Sequence, residues 1–80
     1  MKREEIIEWL VAQGFLQSSR SSELYHSYNL PNVRYRVTKM GLKLERKDRN
    51  GTWFRALSGR YKNLSLDRKG LMLGLTGKGM

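Results

Sequence analysis

Leu42-Lys43-Leu44-Glu45-Arg46-Lys47-Asp48-Arg49-Asn50-Gly51-Thr52-Trp53-Phe54-Arg55-Ala56-Leu57 is the stretch that decides the fold. Residues 42–47 read as an alternating strand, with Leu42 and Leu44 set between Lys43 and Glu45 before Arg46-Lys47, the period of a strand with one buried face. A second run begins at Thr52. Asn-Gly between two such runs is the strongest short-range hairpin signal a sequence carries. Loop length then sets the register. A two-residue loop places Arg46 opposite Arg55, a like-charge pair. A three-residue loop with Gly51 in a bulge places Glu45 opposite Arg55, a favourable pair. Charge favours the second.

Downstream, Ser58-Gly59 marks a further turn. Residues 61–66 and 71–75 flank Asp67-Arg68-Lys69-Gly70, which has the composition of a second hairpin loop ending in glycine. Upstream, Val33, Tyr35 and Val37 alternate with Arg34, Arg36 and Thr38, a strand pattern rich in β-branched and aromatic residues. The same segment also fits a helix, because Val33, Val37 and Met40 share one helical face and Gly41 would cap it. Periodicity does not decide between the two over residues 33–40.

Pro31 pushes Leu30 out of the helical region and ends whatever precedes it. Residues 17–22 are polar and serine-rich, as in a loop. Ser21 or Ser22 would cap a short second helix carrying Glu23, Leu24, Tyr25 and Tyr28. Before that loop, Ile6, Ile7, Leu10 and Val11 make a helical stripe over residues 3–13. Glu4, Glu5 and Glu8 lie at the positive end of its dipole. Gly14 suits the C′ position, where Phe15 or Leu16 folds back on the last turn.

These elements predict an α+β fold. An N-terminal helix, with or without the second short helix, packs on an antiparallel β-meander of three to five strands. The 80 residues form one domain. Residues 1–30 are its helical segment, residues 31–76 its β-hairpin segment, and residues 76–80 a flexible tail. The alternative architecture is a winged helix-turn-helix. Residues 33–40 would then be the recognition helix, and strands 42–47 and 52–57 the wing. Tyr25 stands where that motif needs a very small residue, and the spacing from Leu30 to Val33 is short for its turn.

Charge is the strongest compositional signal. The net charge is +9. Residues 1–30 carry three cations against four carboxylates, whereas residues 31–80 carry thirteen cations against Glu45, Asp48 and Asp67. A domain with so directional a field attracts polyanions. There is no cysteine, which excludes disulfides, thiolate metal sites and thiol nucleophiles. No apolar run reaches the roughly 18 residues of a membrane span. Met1-Lys2-Arg3 leads into Glu4 and Glu5, unlike a signal peptide, so a cytoplasmic protein is expected.

The function expected is non-enzymatic binding of RNA or DNA, mainly through phosphate contacts from a basic sheet face. The candidate nucleic-acid-binding residues are Arg34, Arg36, Lys39, Lys43, Arg46, Lys47, Arg49, Trp53, Arg55, Arg60, Tyr61 and Lys62. Cations neutralise phosphates, and aromatic rings stack on unpaired bases. In a domain this small, Tyr35, Trp53, Phe54 and Tyr61 are expected in the core or packed against the helix rather than stacking on bases. The rival expectation is a small interaction or inhibitor factor, of the kind a phage or other mobile element encodes, docking its basic face on an acidic or nucleic-acid-binding partner surface. Either would act as a monomer or weak homodimer. No cofactor, metal or catalytic residue is expected. His26, the only histidine, reads as an incidental surface residue. Glu45, Asp48 and Asp67 read as charge balance among cations.

Overall fold

The chain opens with helix α1 (Arg3–Ala12). Glu4 and Glu5 occupy its first turn, and the Lys2 amide donates to Glu5 Oε1 at 2.7 Å. The helix ends in a Schellman closure, as its sequence predicts. The Phe15 amide bonds the Leu10 carbonyl at 2.9 Å and the Gly14 amide bonds that of Val11 at 3.0 Å. This closure turns the chain back and drops Phe15 into the core. The computed structural model describes residues 1–77.

Five strands follow in an antiparallel meander: β1 (Leu16–Gln17), β2 (Leu24–His26), β3 (Val33–Val37), β4 (Gly41–Lys47) and β5 (Trp53–Arg60). Their spatial order is their chain order. Beyond β5, a single 3₁₀ turn (Tyr61–Asn63) leads into a small hairpin of β6 (Ser65–Leu66) and β7 (Met72–Leu73). The architecture is α+β, one helix on a five-stranded sheet, and the winged alternative is not needed.

Two expectations are corrected and one open choice is settled. Ser58-Gly59, expected as a turn, lies inside β5, paired with Lys43 and Leu42. No second helix forms near Ser21 or Ser22. Leu24, Tyr25 and His26 instead pair with Arg36, Tyr35 and Arg34 of β3, so the first 30 residues are helix followed by two strands rather than wholly helical. The ambiguous 33–40 segment forms strand over Val33–Val37 and then turns. Thr38 Oγ1 makes that turn by accepting from the Met40 and Gly41 amides, both at 3.1 Å. Strand wins over helix here because Tyr25 and Tyr35 stand opposite each other and Tyr25 is buried.

The β4–β5 register is the one that charge favours, with Glu45 opposite Arg55 and Lys47 opposite Trp53. The loop is a tight turn. The Gly51 amide bonds the Asp48 carbonyl at 3.0 Å, the Asp48 amide bonds that of Thr52 at 3.0 Å, and Gly51 has φ +84°. Asp48 Oδ1 accepts from the Asn50 and Thr52 amides at 2.8 and 2.9 Å. The β6–β7 loop repeats this arrangement. Gly70 has φ +80°, and Asp67 Oδ1 accepts from the Lys69 and Leu71 amides at 2.8 and 2.9 Å. Asp48 and Asp67 are thus turn builders as well as counter-charges, a common use of aspartate beside its own backbone. A register shift at Leu44/Glu45 leaves Ala56 without an opposite residue.

The core lies between the helix and one face of the sheet. Ile6, Leu10, Phe15, Tyr25, Val37, Leu42 and Leu64 are buried, with Trp9, Tyr35, Tyr61, Met72 and Leu75 packed around them. Trp9 and Phe15 meet the Tyr35 ring edge-on at 5.8 and 5.1 Å. The β6–β7 hairpin closes the end of this core, where Trp9 Nε1 donates to the Gly70 carbonyl at 2.7 Å. Thr76, expected in a flexible tail, exchanges backbone bonds with Ser58 at 2.9 Å. The rest of that tail, from Lys78, lies outside the described residues.

Candidate nucleic-acid interface

Strand alternation puts the opposite side chains on the face that carries no helix. The cross-strand registers line them into rows. One row crosses all five strands: Leu16, His26, Arg34, Glu45 and Arg55. The next holds Leu24, Arg36, Lys43 and Ser58. Lys47 and Trp53 form the end beside the β4–β5 loop, and Arg60 stands opposite Gly41 at the other end. The alternation of Val33, Tyr35 and Val37 with Arg34 and Arg36 is what separates core from open face.

Seven of the twelve candidates therefore share one surface: Arg34, Arg36, Lys43, Lys47, Trp53, Arg55 and Arg60. The other five lie elsewhere. Arg46 pairs with Val33 and Phe54, which puts it on the helix side, beyond the core and exposed. Lys39 sits in the β3–β4 turn, Arg49 at the tip of the β4–β5 loop and Lys62 in the 3₁₀ turn, all exposed. Tyr61 belongs to the core margin, and its hydroxyl donates to the Thr38 carbonyl.

Glu45 organises the centre of the open face. Its carboxylate accepts from Arg34 Nε at 2.6 Å and from Arg36 Nε at 3.1 Å, and Arg36 Nη1 also reaches Glu23 at 3.5 Å. The Glu45 side chain is only 12% exposed. Burial alone would raise its pKa. The hydrogen bonds and charges of the two arginines outweigh burial and hold it below the ordinary carboxylate value. Arg36 is pushed upward, chiefly by its bond to Glu45. Lys43, Lys47 and Arg55 have no carboxylate within ion-pair distance among the described residues.

Trp53 is half-buried on this face rather than in the core. The Arg34 guanidinium carbon lies 4.3 Å from its ring centroid and Lys47 Nζ 5.2 Å. Such contacts stabilise both partners by about 0.5–1 kcal/mol at a surface. His26 meets the same ring edge-on at 6.3 Å. Its pKa is lowered by burial first, then by Arg34 and Lys47. The sequence does not single out His26. Nothing in a polar Ser/Tyr segment marks a three-residue strand, and only pairing with β3 brings His26 beside Arg34.

Two cavities adjoin this face. One of about 390 Å³ lies beside β1 and β2, against Leu16, Ser18, Ser19, His26, Ser27 and Tyr28. Another of about 550 Å³ lies between Arg55, Arg60, Asn63 and Thr76. Among the described residues no group of three or more His, Cys, Asp or Glu is arranged to hold a metal ion. No helix among them is long and apolar enough to cross a membrane. No family model matches the chain, and no curated protein or solved structure matches it.

Proposed function

We propose that the open face of the sheet binds nucleic acid, in a role of binding without catalysis. The observation that carries this is the clustering of Arg34, Arg36, Lys43, Lys47, Arg55 and Arg60 on one helix-free surface, against Glu45 and Glu23 among the described residues. Ion pairing with Glu45 fixes Arg34 and Arg36 through Nε. Lys43, Lys47 and Arg55 supply cations with no carboxylate partner among the described residues. Phosphate contacts from such a surface are led by charge and carry little sequence information.

The test is titration of fluorescein-labelled RNA and DNA at a series of salt concentrations. Log affinity is expected to fall linearly with log salt, by about 0.7–0.9 per phosphate contacted. Salt-independent affinity, or no binding at low salt, overturns the proposal. So does nuclease-resistant capture of one acidic protein without any binding of nucleic acid.

A further inference from the structure

We infer that the nucleic acid held by this face is single-stranded, and that the cavity beside His26 seats one unstacked base while the strand's phosphates lie on Arg34, Lys47 and Arg55. This rests on the proposed nucleic-acid binding and deepens it.

The cavity and the charged row are continuous. His26 belongs to both. It lines the cavity, stands opposite Arg34 in the register and meets Trp53 edge-on. Neighbouring strands lie about 4.8 Å apart. Arg34, Glu45 and Arg55 therefore step away from His26 at one, two and three such spacings. A chain with a base in the cavity meets Arg34 first and reaches Arg55 beyond the Glu45 carboxylate that Arg34 neutralises.

The chemistry of the cavity suits a base. Leu16 gives it an apolar wall. Ser19 adds a hydroxyl, and Ser18 and Ser27, whose Oγ atoms accept from the Arg20 and Asn29 amides at 3.1 and 3.2 Å, keep their O–H groups as donors. Tyr28 is 97% exposed, an unusual use of aromatic surface for a domain with so small a core, and the ring is open to stacking. The lowered pKa of His26 keeps the imidazole neutral near pH 7, with one donor and one acceptor for a base edge.

A duplex does not meet these conditions. Its bases are paired and stacked, and only an unpaired or extruded base enters a protein cavity.

The experiment compares fluorescein-labelled oligouridine, oligothymidine and a duplex of equal length at one low salt concentration. The wild-type chain is measured beside Tyr28→Ala and His26→Ala. Tyr28 is so exposed that its removal leaves folding intact, which circular dichroism checks. Either single strand is expected to bind at least tenfold more tightly than the duplex. Tyr28→Ala is expected to weaken single-strand binding about tenfold, the size of one base–aromatic stack, with duplex affinity and the salt slope unchanged. His26→Ala is expected to act in the same direction. Equal affinity for duplex and single strands overturns the inference, as does an unchanged single-strand affinity in Tyr28→Ala. Both of those outcomes leave nucleic-acid binding standing. Absence of binding to all three probes overturns the function itself.

Discussion

Arg34 lies over Trp53, its guanidinium carbon 4.3 Å from the ring centroid, while its Nε donates to Glu45 at 2.6 Å. One side chain thus joins the aromatic end of the open face to its central carboxylate. Removing the ring loses half-buried apolar area and the cation contact together. Trp53→Ala is expected to cost about 1–2 kcal/mol, measured by urea unfolding followed in the far ultraviolet. Trp53→Phe should retain more than half of that. The same order, wild type above Phe above Ala, is expected for oligonucleotide affinity.

Glu45 separates stability from binding. It opposes the polyanion yet holds two arginines in place. Glu45→Gln keeps the shape and removes the charge. Charge-assisted hydrogen bonds stabilise by about 1.5–3 kcal/mol, and an arginine freed into water recovers part of the loss. A destabilisation of about 1–2 kcal/mol is expected, together with tighter nucleic-acid binding at low salt. Denaturant unfolding and salt titration of the same variant check both signs.

Charge position should matter more than charge number. Lys43→Ala, Lys47→Ala and Arg55→Ala each remove a cation from the open face. Each is expected to reduce the steepness of the salt dependence by about 0.7–0.9. Lys39→Ala, Arg46→Ala and Lys62→Ala remove the same charge from other surfaces and should leave the slope unchanged. A uniform effect across all six would mean that the sheet face has no special role in binding.

Acid should act in two steps. In the folded chain His26 titrates below its ordinary value of 6.5, from burial and the nearby Arg34 and Lys47. The unfolded chain therefore binds more protons just below pH 6.5, and folding stability falls as pH drops through that window. Glu45 titrates below its ordinary value of 4.5. Its contribution is present above that value and is lost as pH falls further, through the folded pKa. His26→Ala should abolish the first step and keep the second, as followed by thermal unfolding across pH.

The two Asp-Arg-Xaa-Gly loops should respond alike. Asp48→Ala and Asp67→Ala each remove two hydrogen bonds to backbone amides. Each is expected to cost about 1 kcal/mol. Gly51→Ala and Gly70→Ala place a side chain at positive φ with nothing close to the new carbon, so the cost is conformational alone, about 1–2 kcal/mol. Urea midpoints of the four variants check the equivalence.

Much of this architecture was legible because local chemistry and global topology agree. Asn50-Gly51 specified a turn, and the Glu45–Arg55 preference specified its register. Gly14 and Phe15 specified the helix end. The failure at Leu24–His26 has a physical cause. Leu24 and Tyr28 are four apart after two serines, which imitates a capped helix. A strand of three residues is too short to show a period of two, and only the long-range pairing of Tyr25 with Tyr35 decides it. The site followed the same logic. Arg34, Arg36, Lys43 and Arg55 emerged from alternation. Arg46 fell on the other face because the position opposite it on β3 is Val33, a helix-side residue. His26 and the half-covered state of Trp53 depended on contacts across strands, which no single segment encodes.

The uncrossed strand order has a kinetic consequence. Every strand of the sheet pairs with its neighbour in the chain, so each hairpin closes only a short loop and the sheet can zip from one end to the other without large entropic cost. The contacts that span most of the chain belong to the helix and the residue two before it. The Met1 ammonium donates to the Leu64 carbonyl, 63 residues away, and Trp9 Nε1 to that of Gly70, 61 residues away. Docking of the helix against the β6–β7 hairpin is then expected to form last, after the open face of the sheet is assembled. In a stopped-flow refolding experiment on Trp53→Phe, with Trp9 as the remaining reporter, the fluorescence of Trp9 would lag the appearance of β structure.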